Sequence, residues 1–237
     1  MNYLVDLNNY RNLHSGSDVV IFTCGPSFNS YDEETIREFC KNKIVFTVKQ
    51  SAKRYGDISD YHFFNDNNFI KYNCGAIKIA SSANYEWAKN FVWGDQEIDI
   101  FMKIIKAGKD LKESISYTKD FQKILISEQS ERIWGPGIMY ETVLPFAIHI
   151  GAKNIYVNGW DYTVDSSGCL KHYYDESKAY GVLKNTGHKI GTMFSGEREV
   201  FIESTHYLKK FLDKLDINLY ILSDVSSISN EFERVLL

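Results

Sequence analysis

The chain has 237 residues, 44% of them hydrophobic and 15% aromatic, with 16 Tyr, 15 Phe and only 3 Pro. That is enough material for one sizeable buried core, and it excludes a disordered or Pro-rich chain. The formal net charge of −4 leaves no electrostatic footprint for nucleic acid, so an anionic ligand would have to be held by local donors.

The first predicted element is the apolar run "DVVIFT" at 18–23, which reads as a strand covered on both faces. A helix over 32–42 follows, with Asp32 as N-cap and acids in its first turn. The segments 43–50, 61–65 ("YHFFN") and 76–82 ("AIKIASS") carry the β-branched and aromatic content of further strands. Residues 84–131 are charged, aromatic and helix-leaning, which predicts a helical insertion. Gly135-Pro136-Gly137 opens a helix that Gly151 closes, and "NIYVNG" at 154–159 is the next strand. Residues 162–195 are rich in Gly, Ser and Tyr without a clear period, and too long for an ordinary connection, which predicts a lid loop. Phe201, Thr205, Leu208, Phe211, Leu212 and Leu215 keep the spacing of an amphipathic helix before the last strand, 218–223. This alternation predicts a single α/β domain over 1–237, a doubly wound, mostly parallel, Rossmann-like sheet.

Cys24, Cys40, Cys74 and Cys169 lie far apart with no C-x-x-C pair, which reads as reduced thiols rather than a disulfide framework or a zinc site. The N-terminus lacks the charged start and apolar run of a signal peptide, and no stretch reaches the ~18 apolar residues of a membrane span. The expectation is a cytoplasmic protein without a transmembrane segment or a metal site.

In such sheets ligands bind beyond the carboxyl ends of the strands, so the turns there carry the candidate chemistry. Gly25, Pro26 and Ser27 leave the first strand, and Gly25 would permit an unusual backbone angle and a close approach. Asn65 and Asp66 leave the third strand, while Trp160, Asp161 and Tyr162 leave the strand after Gly151. Gly137 begins a helix whose free N–H groups would favour an anion. Each has a plainer reading as a tight turn, a solvated loop, a helix start or a packing residue. No P-loop and no G-x-G-x-x-G motif occurs.

In order and spacing these segments resemble the bacterial lipooligosaccharide sialyltransferases (glycosyltransferase family 42) and the related motility-accessory-factor, or DUF115 (MptE-like), domain. The resemblance rests on "VVIFTCGPSF", "VFTVKQ", "YHFFN", "ERIWGPGIMYETVLPFAIHIGAKNIYVNGWDY" and "FLDKLDINLYILS". It implies a lipopolysaccharide- or capsule-related glycosyltransferase whose donor is a CMP-activated sugar such as a sialic acid, pseudaminic or legionaminic acid, or Kdo. The acceptor would be a surface glycan, with 84–130 shaping the acceptor side of the site, and any contact with the inner membrane would come through that acceptor. Carried over by position, Gly25, Pro26, Ser27, Gln50, Asn65, Arg132, Gly135 and Gly137 would line the donor pocket. Lys49 stands where that family tends to have an Asn. Asp161 and Tyr162 would start the active-site segment, with Tyr173 and Tyr174 stabilising the departing phosphate. The family's catalytic His corresponds to Thr192 here, which leaves His188 or His172 as the base. The CMP-sugar is a substrate, so no cofactor is implied, and relatives that form tetramers raise the possibility of a homo-oligomer.

Two other functions remain open on the sequence. One is a 6-hydroxymethylpterin diphosphokinase-like enzyme using ATP and Mg, for which Asp66, Asp161 and Asp165 are the candidate carboxylates. The other is a non-catalytic nucleotide- or glycan-binding module. Trp87 and Trp93 could stack on a sugar or pack against the sheet.

Overall fold

In the computed structural model, nine strands form one sheet in the order β6-β5-β4-β3-β2-β1-β7-β8-β9. The structure describes residues 6–66, 69–105, 121, 125–126, 131–133, 137–164, 171–174 and 197–237. In chain order the strands are β1 (Asp18–Phe22), β2 (Ile44–Val48), β3 (Tyr61–Asn65), β4 (Ile77–Ser82), β5 (Ile100–Ile105), β6 (Glu131–Ile133), β7 (Asn154–Asn158), β8 (Asn218–Ile221) and β9 (Glu233–Arg234). Every neighbouring pair is parallel.

The apolar run of β1 explains its central place. Val19 and Ile21 enter one hydrophobic cluster and Val20 and Phe22 the other, so the two-residue period buries both faces. The first cluster packs beneath α4 (Leu144–His149) and α5 (Glu197–Lys214), which contribute Leu144, Phe146, Leu208, Phe211 and Leu212. The second takes Ile36 of α1 (Glu33–Phe39) and Tyr55 of α2 (Ala52–Tyr55). Helices on both faces confirm the doubly wound α/β reading. Asp32 caps α1 as expected, accepting from the Thr35 N–H at 2.8 Å. Leu215 departs from the amphipathic pattern and is exposed, because α5 ends one residue before it.

The helix-leaning reading of 84–131 fails over Ile100–Ile105. That segment is β5, lying parallel to β4 with Ile79 opposite Ile100. Ile100, Met102 and Ile104 are buried while Lys103 and Ile105 are exposed. A run rich in Ile and Phe beside an uncovered sheet edge gains more from strand pairing than from helical propensity. Before β5 the chain forms the short α3 (Tyr85–Ala88) and the π-turn Lys89–Trp93 that continues it, and most of 106–130 lies outside the described residues.

The helix after Gly137 also holds a surprise. Met139–Val143 is a π-turn, and only Leu144–His149 is α-helical. Pro145 has no N–H and its ring would crowd the carbonyl of Glu141, so the turn before it widens. Among the described residues no helix is long and apolar enough to cross a membrane.

Candidate functional site

The strand order reverses between β1 and β7: the chain builds outward from β1 through β6, then returns to pair β7 with β1 on the other side. The carboxyl ends of these two strands diverge into loops that leave a crevice, which is where open α/β sheets hold ligands. A cavity of about 200 Å3 lies there. Its wall includes Cys24 and Gly25 after β1, Val48 and Lys49 at the end of β2, Gly137 and Met139 before α4, and Trp160, Asp161 and Tyr162 after β7. Lys171, His172 and Phe201 complete one side.

The small-residue turn after β1 is dictated by the molecule's own chain. Gly25 has φ −74° and ψ 167°, which any residue adopts, so the unusual backbone angle expected of it is absent. The close approach is real. A Cβ on Gly25 would lie 2.4 Å from the Gly159 carbonyl oxygen and 2.6 Å from Asp161 Oδ2. The Gly25 N–H donates to that same Gly159 carbonyl at 2.7 Å. Pro26 then starts a 3-10 turn, Pro26–Asn29.

Asp161 holds this turn to β7. Its Oδ2 accepts from the Ser27 N–H at 2.6 Å and its Oδ1 from Ser27 Oγ at 2.5 Å, with both residues buried. Burial pushes the Asp161 carboxyl upward in pKa, and the two Ser27 bonds pull against that shift. Both oxygens therefore serve to join the two strand ends. Asp66 makes an analogous link, accepting from Ser82 Oγ at 2.6 Å across the ends of β3 and β4. Asp165 lies outside the described residues.

The other predicted residues divide clearly. Gly25, Gly137, Asp161, Tyr162 and His172 come together in the cavity wall, whereas Pro26, Ser27, Gln50, Asn65, Tyr173 and Tyr174 are not part of it. Gln50 is fully buried, and its backbone carbonyl accepts from the Tyr173 hydroxyl at 2.6 Å. Tyr173 also stacks on Phe28 with centroids 4.2 Å apart and sits 5.7 Å from the Arg54 guanidinium. It anchors residues 171–174 to the turn after β1, and its hydroxyl points to Gln50. Tyr174 stacks on the His172 ring at 5.1 Å. The Asn65 carbonyl accepts from Trp93 Nε1 at 3.4 Å, and Trp93 is buried while Trp87 is 47% exposed. The backbone of Arg132 lies on β6, with four strands between it and β1. Gly135, His188 and Thr192 lie outside the described residues.

Sequence reasoning passed over the backbone of the site. Among the described residues five non-glycines have positive φ: Asn12, Asn42, Lys49, Tyr162 and Asp216. Asn and Asp take this conformation readily, so the strained pair is Lys49 (φ 51°) and Tyr162 (φ 52°), and both line the cavity. Gly137 and Gly159, each at φ 83°, line it as well. At Gly159 glycine is required twice over, because a Cβ would also press to 3.0 Å from the Thr23 carbonyl oxygen. Tyr162 is held in place by ring contacts to Trp160 at 6.2 Å and Phe201 at 5.4 Å.

The cavity wall carries more cation than anion. Lys49 and Lys171 contribute to it, His172 adds an imidazole, and the one carboxylate among the described wall residues, Asp161, is committed to Ser27. The lysine pKa of Lys49 is lowered, chiefly by burial, with Cys24, Glu141 and Asp66 acting in the opposite direction. Burial also pushes the Cys24 thiol up to about 11. Among the described residues no group of three His, Cys, Asp or Glu is placed to share a metal ion.

A doubly wound parallel sheet with a cavity at its switch point defines the class: a Rossmann-like α/β protein. Solved structures of the same fold include two enzymes of Campylobacter jejuni. The sialyltransferase CstII in complex with cytidine-5'-monophosphate is similar at 16% identity and a TM-score of 0.50, covering 93% of this chain and 85% of that one. The monofunctional α-2,3-sialyltransferase Cst-I is similar at 17% identity and a TM-score of 0.51, covering 92% and 79%. No protein-family model and no curated protein matches the chain.

Proposed function

We propose that this chain is a glycosyltransferase that takes a CMP-activated acidic sugar, a sialic acid-like nonulosonate or Kdo, and transfers it to a surface-glycan acceptor. The observation that carries the reading is the cavity at the β1/β7 switch point, walled by Lys49, Lys171 and His172, with the one carboxylate among its described residues already bound to Ser27. Such a wall suits a ligand rich in negative charge. Two facts support the sialyltransferase class: the ordered resemblance of the sequence segments, and the fold shared with CstII and Cst-I.

The chemistry proposed is a single displacement. The acceptor hydroxyl oxygen attacks the anomeric carbon, the bond from that carbon to the phosphate oxygen breaks, and CMP leaves with the electron pair. The hydroxyl proton passes to a base, for which His172 is the candidate in the wall and His188 the candidate on the same long segment. Donors placed beforehand around the departing phosphate stabilise the charge that develops on it.

The test is a pair of thermal-shift titrations. CMP should raise the melting temperature in a saturable manner in excess chelator, and ATP with magnesium should leave it unchanged. No response to CMP would refute the reading. Stabilisation by ATP with magnesium alone would favour the diphosphokinase instead. With a CMP-sugar bound, His172→Ala should lower transfer by about 10²–10⁴-fold if His172 is the base.

A further inference from the structure

Lys49 is placed at a cost and has no partner among the described residues. It ends β2 in the left-handed region, at φ 51°, where an asparagine would sit more comfortably. An asparagine is also what the family that this chain resembles tends to carry there. Its side chain is part of the cavity wall and partly buried, and among the described residues it makes no hydrogen bond or ion pair. Asp66, Glu141 and the Cys24 thiol act on it only through space, and Cys24 is itself bonded to the Val48 carbonyl at 3.3 Å. A second donor in the same wall is also unmatched: Trp160 Nε1 is buried without an acceptor among the described residues. The same wall therefore holds a half-buried cation without a counter-charge and a buried N–H without an acceptor among the described residues, where buried donors are nearly always paired.

We infer that Lys49 is the anchor for an anionic group of the bound ligand, a phosphate or a carboxylate, and so sets this chain's preference for a charged donor. A neutral residue at this position would fit the backbone better and would need no counter-charge. What lysine adds is a positive charge facing the crevice. An incoming anion supplies a partner that the described residues do not, and the pair forms in a partly buried site, where a charge-assisted hydrogen bond is strong. The inference rests on the proposed cytidylate site.

Calorimetric titration of cytidine, CMP and CMP-N-acetylneuraminic acid into wild type and Lys49→Asn tests it. Asparagine tolerates the left-handed backbone, so the variant keeps the fold and loses the charge. Cytidine should bind both proteins alike, while affinity for an anionic probe falls about 10- to 100-fold in the variant. A fall that first appears with CMP assigns the phosphate, and one that first appears with the CMP-sugar assigns the carboxylate. Unchanged affinities for all three probes overturn the role of Lys49 and leave the cytidylate site standing. An equal fall for all three, cytidine included, also overturns it, because a neutral probe does not report charge. If wild type binds none of the three, the cytidylate site itself falls, and the role of Lys49 with it.

Discussion

Substituting Gly25 with alanine tests whether the turn after β1 is small for the sake of the protein's own packing. The new Cβ would stand 2.4 Å from the Gly159 carbonyl oxygen, 2.6 Å from Asp161 Oδ2 and 2.9 Å from Asp161 Cγ. Restoring ordinary contact means parting the two loops by about 1 Å. That movement stretches the 2.7 Å bond from the Gly25 N–H to Gly159 and the two bonds between Ser27 and Asp161. A backbone hydrogen bond is worth about 1 kcal/mol and the bonding to a buried carboxylate about 1.5–3. Against this, alanine restricts the unfolded chain and returns about 0.4–1 kcal/mol, since φ −74° suits it. The net loss is about 2–3 kcal/mol, a fall of roughly 5–10 °C in melting temperature for a chain of this size. Urea denaturation should show a lower midpoint with an unchanged slope. Gly75→Ala is the control: it has nothing within 4 Å of its Cβ and no positive φ, so it should be neutral or slightly stabilising. If Gly25→Ala unfolds within about 0.5 kcal/mol of wild type, the close approach is not what requires glycine there.

The strands at the centre of the sheet were legible because burial on both faces leaves a mark that needs no context. "DVVIFT" and "NIYVNG" are continuous apolar runs, and they became the two strands that flank the crevice. Their loops were legible for the same reason, since topology places chemistry at the carboxyl ends of parallel strands. What failed was the outer half of the sheet, beyond β4. Ile100–Ile105 reads as helix beside its charged neighbours, and only the free edge of β4 turns it into a strand. Side-chain roles were harder still. Asp161 is expected from the sequence to start the active-site segment, yet both of its oxygens are bonded to Ser27, a residue 134 positions earlier. Tyr173 likewise stacks on Phe28 and donates to the Gln50 carbonyl. Such pairings follow from the three-dimensional meeting of distant turns, and local pattern carries no trace of them. The strain at Lys49 and Tyr162 is equally silent, because neither residue type announces a left-handed backbone.

The remaining expectations concern charge, coupling and strain. His62 is fully buried, bonded to Thr47 Oγ1 through Nδ1 at 3.0 Å, and its pKa is pushed down by burial to about 4. The unfolded chain, titrating near 6.5, binds the extra proton, so this contribution is intact above pH 6.5 and lost as pH falls towards 4, about 3 kcal/mol in all. Urea midpoints of His62→Gln should show a flatter acid slope than wild type, and an equal slope would remove His62 as its source. For Ser27→Ala, Asp161→Ala and the double variant, a coupling of about 1–3 kcal/mol is expected, and additive losses would mean that the short bonds carry no stability. Lys49→Asn should do the opposite of most substitutions in a wall so tightly built. It relieves a left-handed lysine, worth about 1 kcal/mol, and removes a charge whose lowered pKa says that burial outweighs the attraction of Cys24, Glu141 and Asp66. The variant should melt roughly 2–4 °C above wild type while binding anions less well, the exchange of stability for function that strained sites make. A variant that melts lower would show that Lys49 is held by favourable contacts within the fold, and its strain would then need no ligand to explain it.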